Sequence, residues 1–175
     1  LPAQVLCVLD EAYGEYMSAL FQGDALAAEQ RASVVDKLAR FTGLSPSYVE
    51  STNLRIEHMR FCKELLRDQR RTVGRLDSRF TGADRDAAGE TMTYDPSSAA
   101  TYGPYAGTLN AYVRDELDFS SDLPYEVLAH LYETWDYSKH QNKYVDMSET
   151  LRAAMTQNPY LKVIIANGYY DLATP

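Results

Sequence analysis

Apolar residues recur at three- and four-residue steps through Leu6, Leu9, Tyr13, Tyr16, Met17 and Leu20, which predicts an amphipathic helix from residue 3 to about residue 22, ended by Gly23. A second helix is expected with Asp24 as its cap, running through Leu26, Val34, Val35, Leu38 and Phe41 to Gly43, a glycine suited to a left-handed end. Ser45-Pro46 then gives a cap followed by a proline at the first helical position, a local start signal. Asn53 can cap the longest predicted helix, whose Ile56, Met59, Cys62 and Leu66 form one stripe beside Phe61 and Leu65, with its end near Gly74.

The period then changes. Leu76, Ser78 and Phe80 alternate with Arg75, Asp77 and Arg79, the pattern of a short strand or extended arm with a charged face. Residues 81–104 are polar, small and rich in turn formers, with Gly82, Gly89, Asp95-Pro96 and Gly103-Pro104, and read as one long loop, weakly ordered over 84–90 and tighter at Asp95-Pro96. Helical spacing returns at Leu109, Tyr112, Val113 and Leu117, whereas 125–132 after Leu123-Pro124 fits either a helix or an extended segment. Asp146 or Ser148 can cap a short helix carrying Leu151, Ala154 and Met155, and Asp146-x-x-Glu149 has capping-box spacing. Beyond Asn158-Pro159, the continuous apolar run Val163-Ile164-Ile165-Ala166 predicts a strand buried on both faces, of the kind found inside parallel α/β sheets. No internal repeat is present.

Composition places the chain among globular proteins: 175 residues, 45% hydrophobic and 24% charged. A formal net charge of -8 repels phosphate backbones, and the one basic patch, Arg67-Asp68-Gln69-Arg70-Arg71, is too short to reverse it, so no nucleic-acid partner is expected. No apolar run approaches the ~20 residues of a membrane span. The first residues lack a basic leader and carry Asp10 and Glu11 too early for a signal peptide. Cys7 and Cys62 fall in apolar helical stretches, where a thiol acts as a small hydrophobe; a disulfide would require two helices to meet at those points.

The candidate chemistry is sparse. His58, His130 and His140 are far apart, without metal-ligand spacing, and His58 reads as partly buried beside Phe61. Paired Cys-x-x-Cys, His-Glu-x-x-His and a phosphate-cradling glycine loop are all missing, so neither metal nor cofactor is expected. Alternating Arg75, Asp77 and Arg79 favour a structural ion pair, with capture of a peptide carboxylate as the alternative. Fourteen tyrosines suit a cleft wall, an interface, or packing onto a further surface. One acidic residue stands out: Asp171 lies just beyond the carboxyl end of the predicted terminal strand, where open α/β sheets place their chemistry. A carboxylate there can orient a catalytic histidine, or it can simply close a turn.

Asn167-Gly168-Tyr169-Tyr170-Asp171-Leu172-Ala173-Thr174-Pro175 resembles the catalytic-aspartate segment of the serine carboxypeptidase family, in its bacterial branch. Further stretches agree in order: Gly43-Leu44-Ser45 with Asn53-Leu54-Arg55-Ile56, then Val73-Gly74-Arg75-Leu76-Asp77-Ser78-Arg79-Phe80, Tyr94-Asp95-Pro96-Ser97, and Trp135-Asp136. Tyr169 departs from eukaryotic relatives, many of which carry a second acidic residue at that place. The resemblance implies a mainly α structure: the helical lid of an α/β-hydrolase over 1–158, with a short extended arm, and the terminal β-strand with its Asp-bearing turn over 159–175.

It further implies a parent that removes single residues from peptide carboxyl termini with a Ser, Asp and His triad, Asp171 being the catalytic Asp. No Gly-x-Ser-x-Gly nucleophile elbow occurs in these residues, and the family's histidine follows the aspartate, so the segment alone is expected to be inactive. The substrate would be a peptide or protein bound by the full-length parent, with self-association through the exposed edge of the terminal strand. Two alternatives stand beside this: an independent helical protein-binding module, and an esterase or acyltransferase of the same fold.

Overall fold

The computed structural model describes residues 12–129 and 131–174. Cys7, Asp10, Glu11, His130 and the start of the amino-terminal helix lie outside the described residues. The chain is mainly helical with one small two-stranded sheet among the described residues, and it divides into two units, 1–101 with 170–175, and 102–169. None of its described helices is long and apolar enough to cross a membrane.

In the first unit a π-helical turn, Ala12–Tyr16, runs into α1 (Met17–Gln22), which Gly23 ends at φ +54°. Asp24 does not cap the next helix. It sits in a 3₁₀ turn, Gly23–Ala25, because Leu26 is extended (φ -64°, ψ 123°) and packs against the core, delaying α2 to Ala28–Thr42. Gly43 ends α2 in the left-handed region at φ +77°, with its N–H donating to the Ala39 carbonyl at 2.9 Å. Ser45 caps α3 (Pro46–Ser51), its Oγ accepting from the Tyr48 N–H at 3.2 Å, with Pro46 at the first helical position.

Asn53 and Leu54 both adopt positive φ, 52° and 64°, so Asn53 belongs to a turn and caps nothing. That conformation is costly for a side chain such as leucine. It is held because Leu54 is buried in the core, its N–H donates to the Val49 carbonyl at 3.2 Å, and its carbonyl accepts from Tyr16 Oη at 2.7 Å. The cap of α4 (His58–Glu64) is Glu57, which accepts from the Arg60 N–H at 2.9 Å, and α4 stops well short of Gly74. Ala19, Val34, Val35, Leu44, Val49 and Leu54 form the core between these helices, flanked by Tyr16, Leu38, Phe61 and Leu65. Each of the valines and leucines among them stabilises the fold by about 1.5–3 kcal/mol when fully buried.

Residues 84–90, expected to be weakly ordered, are gripped by one face of α4 and the residues after it. Lys63 and Asp84 form a buried ion pair at 2.6 Å, and the Lys63 ammonium also donates to the Asp86 carbonyl at 2.6 Å. Arg67 donates to the carbonyls of Ala87 and Gly89, while Arg60 pairs with Glu90 at the surface. Asp84 is completed by the N–H groups of Arg85 and Thr93 and by the Thr93 hydroxyl. Burial alone would raise its pKa, but the Lys63 ammonium and these donors outweigh it and hold the carboxyl far below the usual aspartate range.

The sequence 72–82 forms an antiparallel pair, β1 (Thr72–Val73) with β2 (Thr81–Gly82), in the register Thr72 opposite Gly82 and Val73 opposite Thr81. Residues 75–80 are therefore the connecting turn, not an extended arm: Phe80 N–H bonds back to the Asp77 carbonyl at 3.1 Å. The expected long loop over 81–104 is cut short at Pro96. From there α5 (Pro96–Asp115) is the longest described helix and runs through both Gly103 and Pro104. Its start is organised by Asp95, whose carboxylate accepts from the Ser97 N–H at 2.9 Å and whose carbonyl accepts from Ala99. A proline removes one helical donor, a loss this twenty-residue helix accommodates.

In the second unit, the described residues of 125–132 form no regular element except the beginning of a 3₁₀ turn, Leu131–Glu133. The predicted short helix is present as α6 (Ser148–Gln157), with Asp146 Oδ1 accepting from the Ser148 N–H at 2.9 Å, but Glu149 pairs with Arg152 instead of closing a capping box. None of its described residues is buried. The expected terminal strand is also overturned: 163–166 forms no ladder, and Ile164 and Ile165 are 90% and 81% exposed. Extended backbone becomes a strand only when a neighbour accepts its hydrogen bonds, and the one sheet among the described residues is β1–β2.

Removing one partner of the Lys63–Asp84 pair strands the other charge in a dry site. Asp84→Ala is expected to destabilise the first unit by about 3–5 kcal/mol in urea denaturation, and the double change Lys63→Met with Asp84→Leu by clearly less. The pH dependence follows from the depressed Asp84 carboxyl: its contribution is complete above the unfolded value of about pH 4 and is lost as pH falls toward the lower folded value. Acid titration of the denaturation midpoint checks this, and the dependence vanishes in the double variant.

Candidate functional site

Asp171 lies in the first unit, half-buried, in a turn that it closes itself. One carboxylate oxygen accepts from the N–H groups of Ala173 at 2.8 Å and Thr174 at 3.1 Å; the other accepts from the Thr174 hydroxyl at 2.9 Å. These donors, in that order, and then the positive charge of Arg75, hold its pKa below the usual aspartate value. The group is thus a fixed carboxylate at neutral pH. An ionised carboxylate offers about four acceptor positions, so three internal bonds leave one for a further donor. The same three bonds are those of an Asx-type turn, the structural role open to any loop aspartate.

The residues on either side of Asp171 are tied to the 75–80 turn. Ser78 N–H donates to the Tyr170 carbonyl at 2.8 Å, and Leu172 N–H donates to the Arg75 carbonyl at 2.9 Å. The Arg79 guanidinium lies 4.9 Å from the centre of the Tyr170 ring, a cation–π contact. Arg79 is itself aimed by Asp77, which accepts from its Nε at 2.9 Å and its Nη2 at 2.6 Å and from its backbone N–H at 3.0 Å. The ion pair expected from the alternating charges is therefore present, between Asp77 and Arg79.

Behind this turn stands Asp95. Its two oxygens accept from the Arg75 N–H at 3.2 and 3.3 Å, while the buried Ser97 hydroxyl donates to Asp95 and accepts from the Leu76 N–H at 3.2 Å. Gly74 is packed against the same group. A Cβ there would lie 2.5 Å from the Asp77 carbonyl oxygen and 2.8 Å from Ser97 Cβ.

The remaining candidates separate cleanly. His58 is half-exposed rather than packed beside Phe61: its Nδ1 lies 2.8 Å from Glu57 Oε1, and its Nε2 accepts from Arg75 Nε at 3.3 Å, so the ring is held between a carboxylate and a guanidinium. Cys62 is a buried free thiol. Burial, joined by the charges of Asp95 and Glu57, pushes it up to about 11, which makes it a poor nucleophile at neutral pH. His140 lies in a 3₁₀ turn of the second unit, Ser138–His140. Among the described residues no group of three or more His, Cys, Asp or Glu could hold a metal ion.

Gly74, Asp95 and Ser97 were not singled out as site residues by the sequence. The signal was there in Asp95-Pro96-Ser97, a capping residue before a proline at the first helical position. No protein-family model matches this chain, and neither the curated proteins nor the solved structures contain a significant match to it.

Gly74→Ala forces either the 75–80 turn or the start of α5 to move. The expected outcome is a loss of about 1–3 kcal/mol in stability, with amide shift changes concentrated at 75–80, 95–97 and 170–172 in heteronuclear spectra.

Proposed function

We propose that this chain is the lid region, with the aspartate-bearing turn, of a serine carboxypeptidase-like hydrolase. The observation that carries the reading is the state of Asp171: an ionised carboxylate, locked by three donors of its own turn, with acceptor capacity left for an imidazole N–H. The resemblance of 167–175 to the family's aspartate segment supplies the chemical identity.

In the assembled parent, Asp171 accepts from Nδ1–H of the catalytic histidine, fixes its tautomer, and stabilises the imidazolium that forms when the serine hydroxyl loses its proton. The serine then attacks the carbonyl of the last peptide bond, and the substrate is a peptide or protein carboxyl terminus. The serine and histidine come from parts of the parent other than residues 1–175. The second unit contributes packing surface: Leu123, Tyr144 and Ile164 are more than four-fifths exposed, an apolar load that calls for a cover. That same exposure favours a second reading, a helical module that holds a protein partner through its aromatic side chains, without chemistry of its own.

Asp171→Asn in the full-length parent separates the readings. With the carboxylate gone the histidine takes the wrong tautomer, and kcat for release of carboxyl-terminal residues should fall by about 10⁴ with folding intact. Unchanged turnover would sink the triad assignment and leave the binding module.

A further inference from the structure

We infer that the 75–80 turn is a positioning clamp for Asp171, with Arg79 and Tyr170 as positioning residues that set where its carboxylate points. The inference rests on the reading of Asp171 as the histidine-orienting carboxylate, and adds to it the group that aims that carboxylate.

Three contacts, of two chemical kinds, converge on the residues bracketing Asp171. The two backbone bonds run in opposite senses, Ser78 N–H to the Tyr170 carbonyl and Leu172 N–H to the Arg75 carbonyl, so Asp171 is pinned on both sides at 2.8 and 2.9 Å. Arg79 over the Tyr170 ring at 4.9 Å closes the third side. Each member of the clamp is held from behind: Arg79 by its multiple bonds to Asp77, Arg75 and Leu76 by the Asp95 carboxylate and Ser97, and Gly74 by an approach too close for any side chain. Among the described residues the hydrogen bonds of the Asp171 side chain run forward, to residues 173 and 174, and shape its own turn. The clamp ties that turn to the 75–80 turn. A carboxylate that must meet an imidazole within hydrogen-bond reach tolerates little displacement, since a shift of about 1 Å from a remote change can cost about a hundredfold in rate.

The substrate does not touch Arg79 or Tyr170 in this account, so their loss should act on kcat and spare KM. In the full-length parent, Arg79→Met and, as a second route, Tyr170→Leu are expected to lower kcat for carboxyl-terminal release by at least about tenfold, with KM and the melting midpoint little changed. Arg79→Lys keeps a cation over the ring and should recover part of the loss; Tyr170→Phe keeps the ring and should recover most of the loss seen with leucine. Wild-type kcat in both Arg79→Met and Tyr170→Leu overturns the clamp. So does a fall in kcat that tracks a fall in melting midpoint and is not rescued by the lysine or phenylalanine variants, since that is a folding defect. Asp171→Asn, assayed alongside, separates the two levels: if it alone is inactive, the clamp fails and the triad reading stands; if it is fully active, the triad reading itself fails and the clamp with it.

Discussion

The carboxylate of Asp95 is the joint on which this architecture turns. It starts α5 by accepting from Ser97, and it fixes the 75–80 turn by accepting from the backbone of Arg75 and Leu76. One side chain thereby locks the beginning of a twenty-residue helix to the connection of a two-stranded sheet, and through that connection to the residues around Asp171. Backbone N–H groups in a tight turn need partners, and a short side chain with two acceptor oxygens can satisfy several at once. Ser97 completes the arrangement because its hydroxyl both donates and accepts, and Gly74 leaves the room it requires.

Two other aspartates show how the same side chain is put to different uses by its surroundings. Asp84 is buried against Lys63 and works as an internal strap that brings 84–90 onto α4. Asp171 is held by amides and a hydroxyl and keeps part of its acceptor capacity open. In both, donors hold the carboxyl ionised, but only the second has a charge that a new partner can reach. The distinction is physical: a buried ion pair uses its charge to satisfy itself, whereas a carboxylate stabilised by neutral donors retains its field for a cation such as imidazolium.

Local signals were legible where local chemistry decides the structure. Gly23, Gly43, Ser45-Pro46 and the helix after Asp146 stand as the side-chain patterns indicate, because caps and left-handed glycines act within one turn. Signals failed where tertiary packing overrode them. Asn53 has cap chemistry, but the burial of Leu54 draws both residues into a left-handed turn, and Glu57 takes over as cap. Gly103 and Pro104 read as loop formers, but a helix started at Asp95-Pro96 carries through them. The apolar run 163–166 has strand composition but no strand neighbour among the described residues, and composition alone makes no ladder. The turn-closing role of Asp171 is legible in its segment, whereas the contacts between 75–79 and 170–172 are not, because they join residues far apart in the chain that no periodicity links.

The proposed role of Asp171 as a carboxylate aimed at an imidazole is tested most directly by a crystal structure of the full-length parent. It should place an Asp171 oxygen about 2.6–3.2 Å from Nδ1 of a histidine whose Nε2 faces a serine hydroxyl, with the bonds from Ala173 and Thr174 retained. A parent structure in which Asp171 meets no imidazole, and both oxygens serve only their own turn and solvent, would contradict it.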